Sequence, residues 1–318
     1  MAQTSEPSGK VIVVDWGTTS LRAALVSPAG KTIEFVENGC GIQFIADRKF
    51  EPELLKTVGP WLKTHGKLPV IASGMITSRN GWVEVPYISC PARVVDLAEG
   101  TVRRRLSNGS ELFLLPGLTD RSRRPFPDVM RGEETQIVGF GLQRPATIVL
   151  PGTHSKWAKV ETGQIAKFQT FVTGEIFALL SQHSFIAKTA GEASATANWP
   201  AFERGVNVAK NMLDADAAFL TQLFSARTGM LANELGPEDI RDFISGVLIG
   251  NEFREAQCCG WTEAGQKIGI VGNDGLNERY SRAANLFELF PTEGGDQAVV
   301  AGALEIYSAL RQSAVEVA

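Results

Sequence analysis

The stretch Val11-Ile12-Val13-Val14-Asp15-Trp16-Gly17-Thr18-Thr19-Ser20-Leu21-Arg22 decides the fold class. Four consecutive apolar β-formers predict a strand buried on both faces, because a strand with one wet face would alternate apolar and polar side chains. A carboxylate, Asp15, stands at its end. Gly17 then lets the backbone turn and approach a ligand, while Thr18, Thr19 and Ser20 supply hydroxyls and amides for anionic oxygens. Leu21 to Val26 resumes as a strand, turns at Ser27-Pro28-Ala29-Gly30 and returns from Lys31 to Val36. The unit reads as a β-hairpin whose loop suits a phosphate.

The pattern comes back in Thr147-Ile148-Val149-Leu150-Pro151-Gly152-Thr153-His154-Ser155-Lys156-Trp157-Ala158-Lys159-Val160, followed by a turn at Glu161-Thr162-Gly163 and a run to Phe168. Placing Gly152 on Gly17 aligns Thr153 with Thr18, Ser155 with Ser20 and Ala158 with Ala23. A chance match of small residues is the alternative. The shared order of strand, Gly-Thr loop, strand, turn and strand favours an internal duplication, and with it a second phosphate hairpin.

Composition narrows the function classes. The chain has 318 residues, 44% hydrophobic and 21% charged, enough for one large or two medium domains. A net charge of -4 speaks against a nucleic-acid surface, which needs clustered Lys and Arg. The basic run Arg121 to Arg124 reads as a solvated loop. Met1 to Lys10 is polar, and no stretch approaches the roughly twenty apolar residues that span a bilayer, so a cytoplasmic protein without membrane contact is expected. Cys40, Cys90, Cys258 and Cys259 lack metal-ligand spacing and read as reduced and mostly buried. A homodimer is possible.

Between the hairpins, Phe50 to His65 has helical spacing in Leu54, Leu55, Val58 and Leu62, with Pro60 expected to bend or end the helix. Pro69 to Ser73 is a short buried strand that runs into Gly74-Met75-Ile76-Thr77-Ser78-Arg79-Asn80-Gly81-Trp82. That loop reads equally as a small polar-ligand site or as a turn with a packed Trp82. Glu111 to Pro116 is a further strand. A helix is predicted to begin near Gly132 in Asp128-Val129-Met130-Arg131-Gly132-Glu133-Glu134-Thr135-Gln136, with Glu133 and Glu134 in its first turn, where the helix dipole alone would favour acids.

Beyond the second hairpin, Thr173 to Ile186 reads as a helix capped by Thr173 and carrying Phe177, Leu180 and Phe185; Phe202 to Arg227 reads as another, and a third opens at Pro237-Glu238-Asp239. Lys267 to Val271 is a strand, Gly272-Asn273-Asp274-Gly275 turns into a helix, and Gln297 to Leu310 is the last helix. The Gly272 and Gly294-Gly295 turns offer backbone against which an adenine ring could lie. Two Gly-Thr hairpins, with Asp15 holding magnesium directly or through water, make a layout for transferring phosphoryl groups.

Four motifs together, Asp15-Trp16-Gly17-Thr18-Thr19, Ser73-Gly74-Met75-Ile76 with Gly81-Trp82, Asp128 to Gln136, and Leu150 to Trp157, make the chain similar to the 2-dehydro-3-deoxygalactonokinase family. The first motif alone marks only the wider sugar kinase, Hsp70 and actin superfamily. The resemblance implies an α/β fold of two ribonuclease-H-like, actin-like ATPase domains around a central nucleotide cleft. Residues 1–145 would form the first, with 297–318 packing back on it, and 146–296 the second with a helical insertion. It also implies transfer of the γ-phosphoryl of ATP to the 6-hydroxyl of 2-dehydro-3-deoxy-D-galactonate, with Mg2+. Asp15 matches the superfamily's phosphate and magnesium aspartate, and Gly152-Thr153-His154 its second phosphate loop. Where related sugar kinases place an Asp after Gly at a helix start as base, this chain has Glu133 after Gly132. Arg79 or Arg131, with Trp82 nearby, would receive the substrate carboxylate unless each is a structural ion pair. The competing expectations are a kinase for another sugar or sugar acid, a nucleotide-gated ATPase module, and an inactive sugar-acid sensor.

Overall fold

The computed structural model describes residues 9–122, 125–184, 186, 188, 196–210, 218–295 and 297–316. Residues 1–8 of the polar N-terminal stretch, Arg123 and Arg124 of the basic run, Phe185, residues 211–217 and Asp296 lie outside them.

The chain runs β1 (Val11–Trp16), β2 (Leu21–Val26), β3 (Thr32–Asn38), α1 (Phe50–His65), β4 (Val70–Ser73), β5 (Ile88–Ser89), β6 (Ala92–Arg93), α2 (Val94–Glu99), β7 (Val102–Arg105), β8 (Glu111–Leu114), β9 (Leu118–Asp120), β10 (Asp128–Met130) and α3 (Glu133–Phe140). It continues through β11 (Ala146–Leu150), β12 (Ser155–Glu161), β13 (Gln164–Phe171), α4 (Thr173–His183), α5 (Trp199–Lys210), α6 (Phe219–Leu231), α7 (Ile240–Cys258), β14 (Lys267–Val271), α8 (Asp274–Leu286), β15 (Phe290–Gly294) and α9 (Gln297–Glu316). Contacts divide it into unit 1, Met1–Pro145 with Val160–Phe168 and Asp296–Ala318, and unit 2, Ala146–Lys159 with Gln169–Gly295.

Unit 1 is built on a sheet of order β3-β2-β1-β4-β8-β7. The hairpins β1–β2 and β2–β3 are antiparallel, whereas β1, β4 and β8 run parallel, with Asp15 opposite Ser73. Buried β1, β4 and β8 side chains join Phe50, Leu54, Val58 and Trp61 of α1 in one core. Of the two outcomes expected at Pro60, a bend or an end, the structure rules out the end, since α1 continues through it to His65. Proline removes one backbone donor there, yet Trp61 and Leu62 just beyond it are buried, so core packing offsets the lost bond. Helix α9 packs on α3, where the Gly139 backbone lies against the Ala298 carbonyl.

Unit 2 repeats the strand plan. Its strands lie in the order β15-β14-β11-β12, with β11, β14 and β15 parallel. Helix α7 is buried over most of its length, and its Phe253 shares a core with Val149, Trp157 and Tyr280. The expected helix over Phe202–Arg227 is two helices, α5 and α6. The expected cap Thr173 is instead the first residue of α4, and its hydroxyl points elsewhere. The cysteines are free as expected but not buried: Cys258 and Cys259 are exposed where α7 ends in a Gly260 turn, and Cys40 and Cys90 are intermediate.

Candidate active site

Each unit gathers its sequence-predicted residues at the carboxyl ends of its parallel strands, the end of an open α/β sheet where ligands bind. In unit 1, Asp15 lies near the end of β1 with its side chain 20% exposed, and Arg22 on β2 places Nη1 4.0 Å from Oδ2 while its Nε donates to Glu37 at 2.8 Å. The loop after β1 closes by Gly17 N–H donating to Ser20 O at 2.9 Å and is braced by Ile42 N–H on Gly17 O at 3.0 Å. Thr18 and Thr19 are exposed, and among the described residues their hydroxyls have no protein partner. The buried Ser73 hydroxyl beside Asp15 is also without a partner among the described residues.

The end of β4 and the start of α3 meet at this point. Gly74 (φ 89°) leaves room for Asp15 Oδ1, 3.0 Å from where a Cβ would stand, and a Cβ on Gly132 (φ 112°) would fall 3.2 Å from the Gly74 Cα. Both conformations and both close approaches require glycine. Gly132 therefore seats the first turn of α3 beside Asp15, and the two carboxylates that follow diverge. Glu134 is 1% exposed and turned inward: Gly132 N–H donates to Oε2 at 2.7 Å and Oε1 at 2.9 Å, and Thr135 donates to Oε1 at 3.1 Å. Burial, with the charge of Glu133 alongside, pushes its pKa up to about 8. Glu133 is half-buried and accepts from Arg131 N–H at 3.0 Å.

The two arginine candidates also diverge. Arg131 is 8% exposed; Nη1 donates to Thr77 at 2.7 Å, Nη2 to the Val85 carbonyl at 2.8 Å, and the guanidinium lies 4.2 Å from the Tyr87 ring centroid. Its fork is committed to holding the 74–87 loop, with only Nε lacking a partner among the described residues. Arg79 is exposed with no ion-pair partner among them. Trp82 is part-buried on the first core, and its backbone N–H donates to Ile76 O at 2.8 Å.

In unit 2, the loop Pro151 to His154 leaves Thr153 and His154 exposed, and open space surrounds the position of a Gly152 Cβ. The loop is fastened to α4. Glu175 N–H donates to Thr153 O at 2.9 Å, His154 Nε2 and Glu175 Oε2 are 2.7 Å apart, and a Cβ on Gly174 would stand 2.3 Å from Gly152 O. Gly272 and Gly294 lie at the ends of β14 and β15 and are bridged by Asn277, whose Nδ2 donates to Gly272 O at 3.1 Å and Gly294 O at 2.9 Å. Gly295 is exposed beside them. Asn277, 3% exposed with Oδ1 unpartnered among the described residues, carried no sequence signal. Glu252 was also missed, although a lone acid within the apolar run of α7 marks it; it accepts four side-chain hydrogen bonds behind the loop. Among the described residues, no three His, Cys, Asp or Glu side chains form a ready-made cation cage.

Comparison with known proteins supplies a family. The family model for 2-keto-3-deoxy-galactonokinase matches residues 15–306. The chain is 33% identical over 316 residues to a 2-dehydro-3-deoxygalactonokinase of Escherichia coli K12, spanning 98% of this chain and 99% of the relative. The crystal structure of a proposed 2-dehydro-3-deoxygalactonokinase from Sinorhizobium meliloti is similar with a TM-score of 0.83 and 31% identity, covering 95% of this chain and 99% of that one. Component A of the Acidaminococcus fermentans (R)-2-hydroxyglutaryl-CoA dehydratase, 13% identical, shares the fold with a TM-score of 0.50 over 96% of this chain and 99% of its own.

Proposed function

The chain belongs to the 2-keto-3-deoxy-galactonokinase family and is a sugar-acid kinase, and from that premise we propose how its residues divide the transfer of the γ-phosphoryl of ATP to the 6-hydroxyl of 2-dehydro-3-deoxy-D-galactonate. Glu133 is the base. One observation carries this choice: of two adjacent acids at the start of α3, Glu134 is locked onto its own helix terminus while Glu133 remains half-open. Glu133 stands in the first turn of α3, where the positive end of the helix dipole favours negative charge. As the 6-oxygen bonds to the γ-phosphorus and the bond from that phosphorus to the ADP oxygen breaks, the hydroxyl proton passes to Glu133.

Asp15 is suited to magnesium, which usually takes one or two carboxylates, keeps several waters and completes its shell with phosphates. A single, partly exposed carboxylate beside the hydroxyls of Thr18 and Thr19 fits that habit better than a closed cage would. When bound, the cation would supply neutralisation of phosphoryl charge. Gly17, Thr18 and Thr19 in unit 1 and Gly152, Thr153 and His154 in unit 2 are the phosphate contacts, and the Gly272 and Gly294-Gly295 backbone receives adenine. Arg79 reads the substrate carboxylate, whereas Arg131 serves the loop that presents it.

A coupled ATP-consumption assay over a panel of 2-oxo-3-deoxy sugar acids and neutral hexoses tests the assignment. Turnover confined to the sugar acids, greatest with the galactonate derivative, is expected. ATP use on neutral hexoses alone would overturn the substrate, and ATP use indifferent to every sugar would point to an ATPase module.

A further inference from the structure

The second Gly-Thr loop has a fastening that its own sequence does not reveal. Ser155, the residue after His154, and Thr173, the first residue of α4, both donate hydroxyl hydrogens to one carboxylate, Glu252 of α7. Ser155 reaches Oε1 at 2.7 Å, as does Trp157 Nε1, while Thr173 and Tyr280 donate to Oε2, the latter at 2.8 Å. Glu252 is 3% exposed and its donors lie 28 to 97 residues away in sequence. Burial pushes its pKa up, and the four donors oppose that shift.

We propose that Glu252 is a positioning residue for nucleotide, holding the exit of the 151–154 loop and the first turn of α4 in one geometry so that the loop presents itself to the ATP phosphates. The inference rests on the reading of Gly152-Thr153-His154 as a phosphate loop. Loop and helix already touch through Gly174, Glu175 and His154, but the His154–Glu175 side-chain pair is surface-exposed and weakly restraining. The buried carboxylate fixes the two ends that those contacts span. Surrounded by four donors, it accepts on both oxygens at once. An amide cannot, since its nitrogen faces two donors. Preorganised phosphate contacts bind without an ordering cost at the moment of binding, so loosening them weakens nucleotide more than sugar acid.

The test compares single-tether variants at saturating co-substrate. Ser155→Ala and Thr173→Val each release one end of the loop, whereas Tyr280→Phe removes a bond to the same carboxylate from α8, which forms neither end of the loop. The expected result is a rise of about tenfold in the KM for ATP for the first two, the size of one hydrogen bond to a charged group. Their KM for the sugar acid and the KM for ATP of Tyr280→Phe should stay within about twofold. If all three lower the unfolding temperature alike and leave the KM for ATP unchanged, Glu252 is structural only and the proposal fails. Gly152→Val tests the underlying reading separately, because its side chain enters open space and should spare stability while obstructing a phosphate. An unchanged KM for ATP in that variant would overturn the loop assignment itself, whatever the tethers do.

Discussion

In unit 1 the strands β2-β1-β4-β8 lie side by side, and in unit 2 the order β12-β11-β14-β15 repeats them position for position, with the last three of each series parallel. The loops after the first strand of each series are not equivalent in chemistry. At the end of β1 stands an acid, Asp15, that stays partly open, with Arg22 Nη1 4.0 Å away. The matching strand β11 ends in Leu150 and Pro151, and the acid of that region, Glu252, lies buried behind the loop with four donors on it. The two units thus share a strand order and differ in where a carboxylate stands: one leaves it partly open at the end of the first strand, and the other buries it behind the loop.

The sharpest way to break that contrast is at Glu133. Glu133→Gln should lower kcat by about 10²–10⁴, the usual contribution of a positioned base, while ATP binding by titration calorimetry survives. Glu134→Gln should keep most activity, since Glu134 already spends both oxygens on Gly132 N–H. If Glu134→Gln is the dead variant, the open and closed acids have been exchanged; if both variants stay active, the base lies elsewhere.

Asp15→Asn is expected to come next, with a loss of about 10²–10³ in kcat, the scale of one removed charge-stabilising contact at a reacting centre. Circular dichroism should be unchanged, because the side chain is not a core element. Full magnesium-dependent turnover in this variant would place the working charge outside the first loop.

Smaller effects should separate the arginines. Arg79→Met should raise the KM for the sugar acid about 10–100-fold and leave that for ATP alone, as one lost charged hydrogen bond predicts. Arg131→Met should instead destabilise the fold by about 1–3 kcal/mol, because Thr77 and the Val85 carbonyl lose their donor inside the protein. A selective rise in the sugar-acid KM from Arg131→Met, at unchanged stability, would reverse the assignment.

What could be read in the sequence follows from the range of the forces involved. The β1 run, the helix start at Gly132 and the repeat at Gly152 are local patterns, and strand burial, glycine geometry and hydroxyl spacing suffice to see them. Whether α1 ends at Pro60 or continues through it was not visible, since burial of Trp61 and Leu62 by the rest of unit 1 outweighs a local helix breaker. Nor was the role of Thr173: a hydroxyl at a helix start reads as a cap until Glu252, 79 residues on, is brought beside it. Arg131 and Arg79 looked alike for the same reason, because only the fold determines which guanidinium finds partners.

The mildest test leaves activity aside and compares the two buried acids by pH. Glu134 has a folded pKa of about 8 against an ordinary 4.5. Below pH 4.5 the carboxyl is neutral in both states, and its full relative stability is present. Between those values the unfolded chain releases the proton while the folded chain keeps it, so stability falls as pH rises, by at most about 1.4 kcal/mol per pH unit, and levels off above the folded pKa. Glu134→Gln has no proton to lose and can still accept from Gly132 N–H. Chemical denaturation at pH 5 and pH 8 should therefore show this variant gaining on the wild type as pH rises. Glu252→Gln should behave oppositely in kind, losing stability at both pH values because its amide nitrogen confronts two donors whatever the pH. Parallel pH profiles for wild type and Glu134→Gln would mean that Glu134 is ionised in the fold, and the proposed division between an open Glu133 and a neutral, inward-turned neighbour would no longer stand.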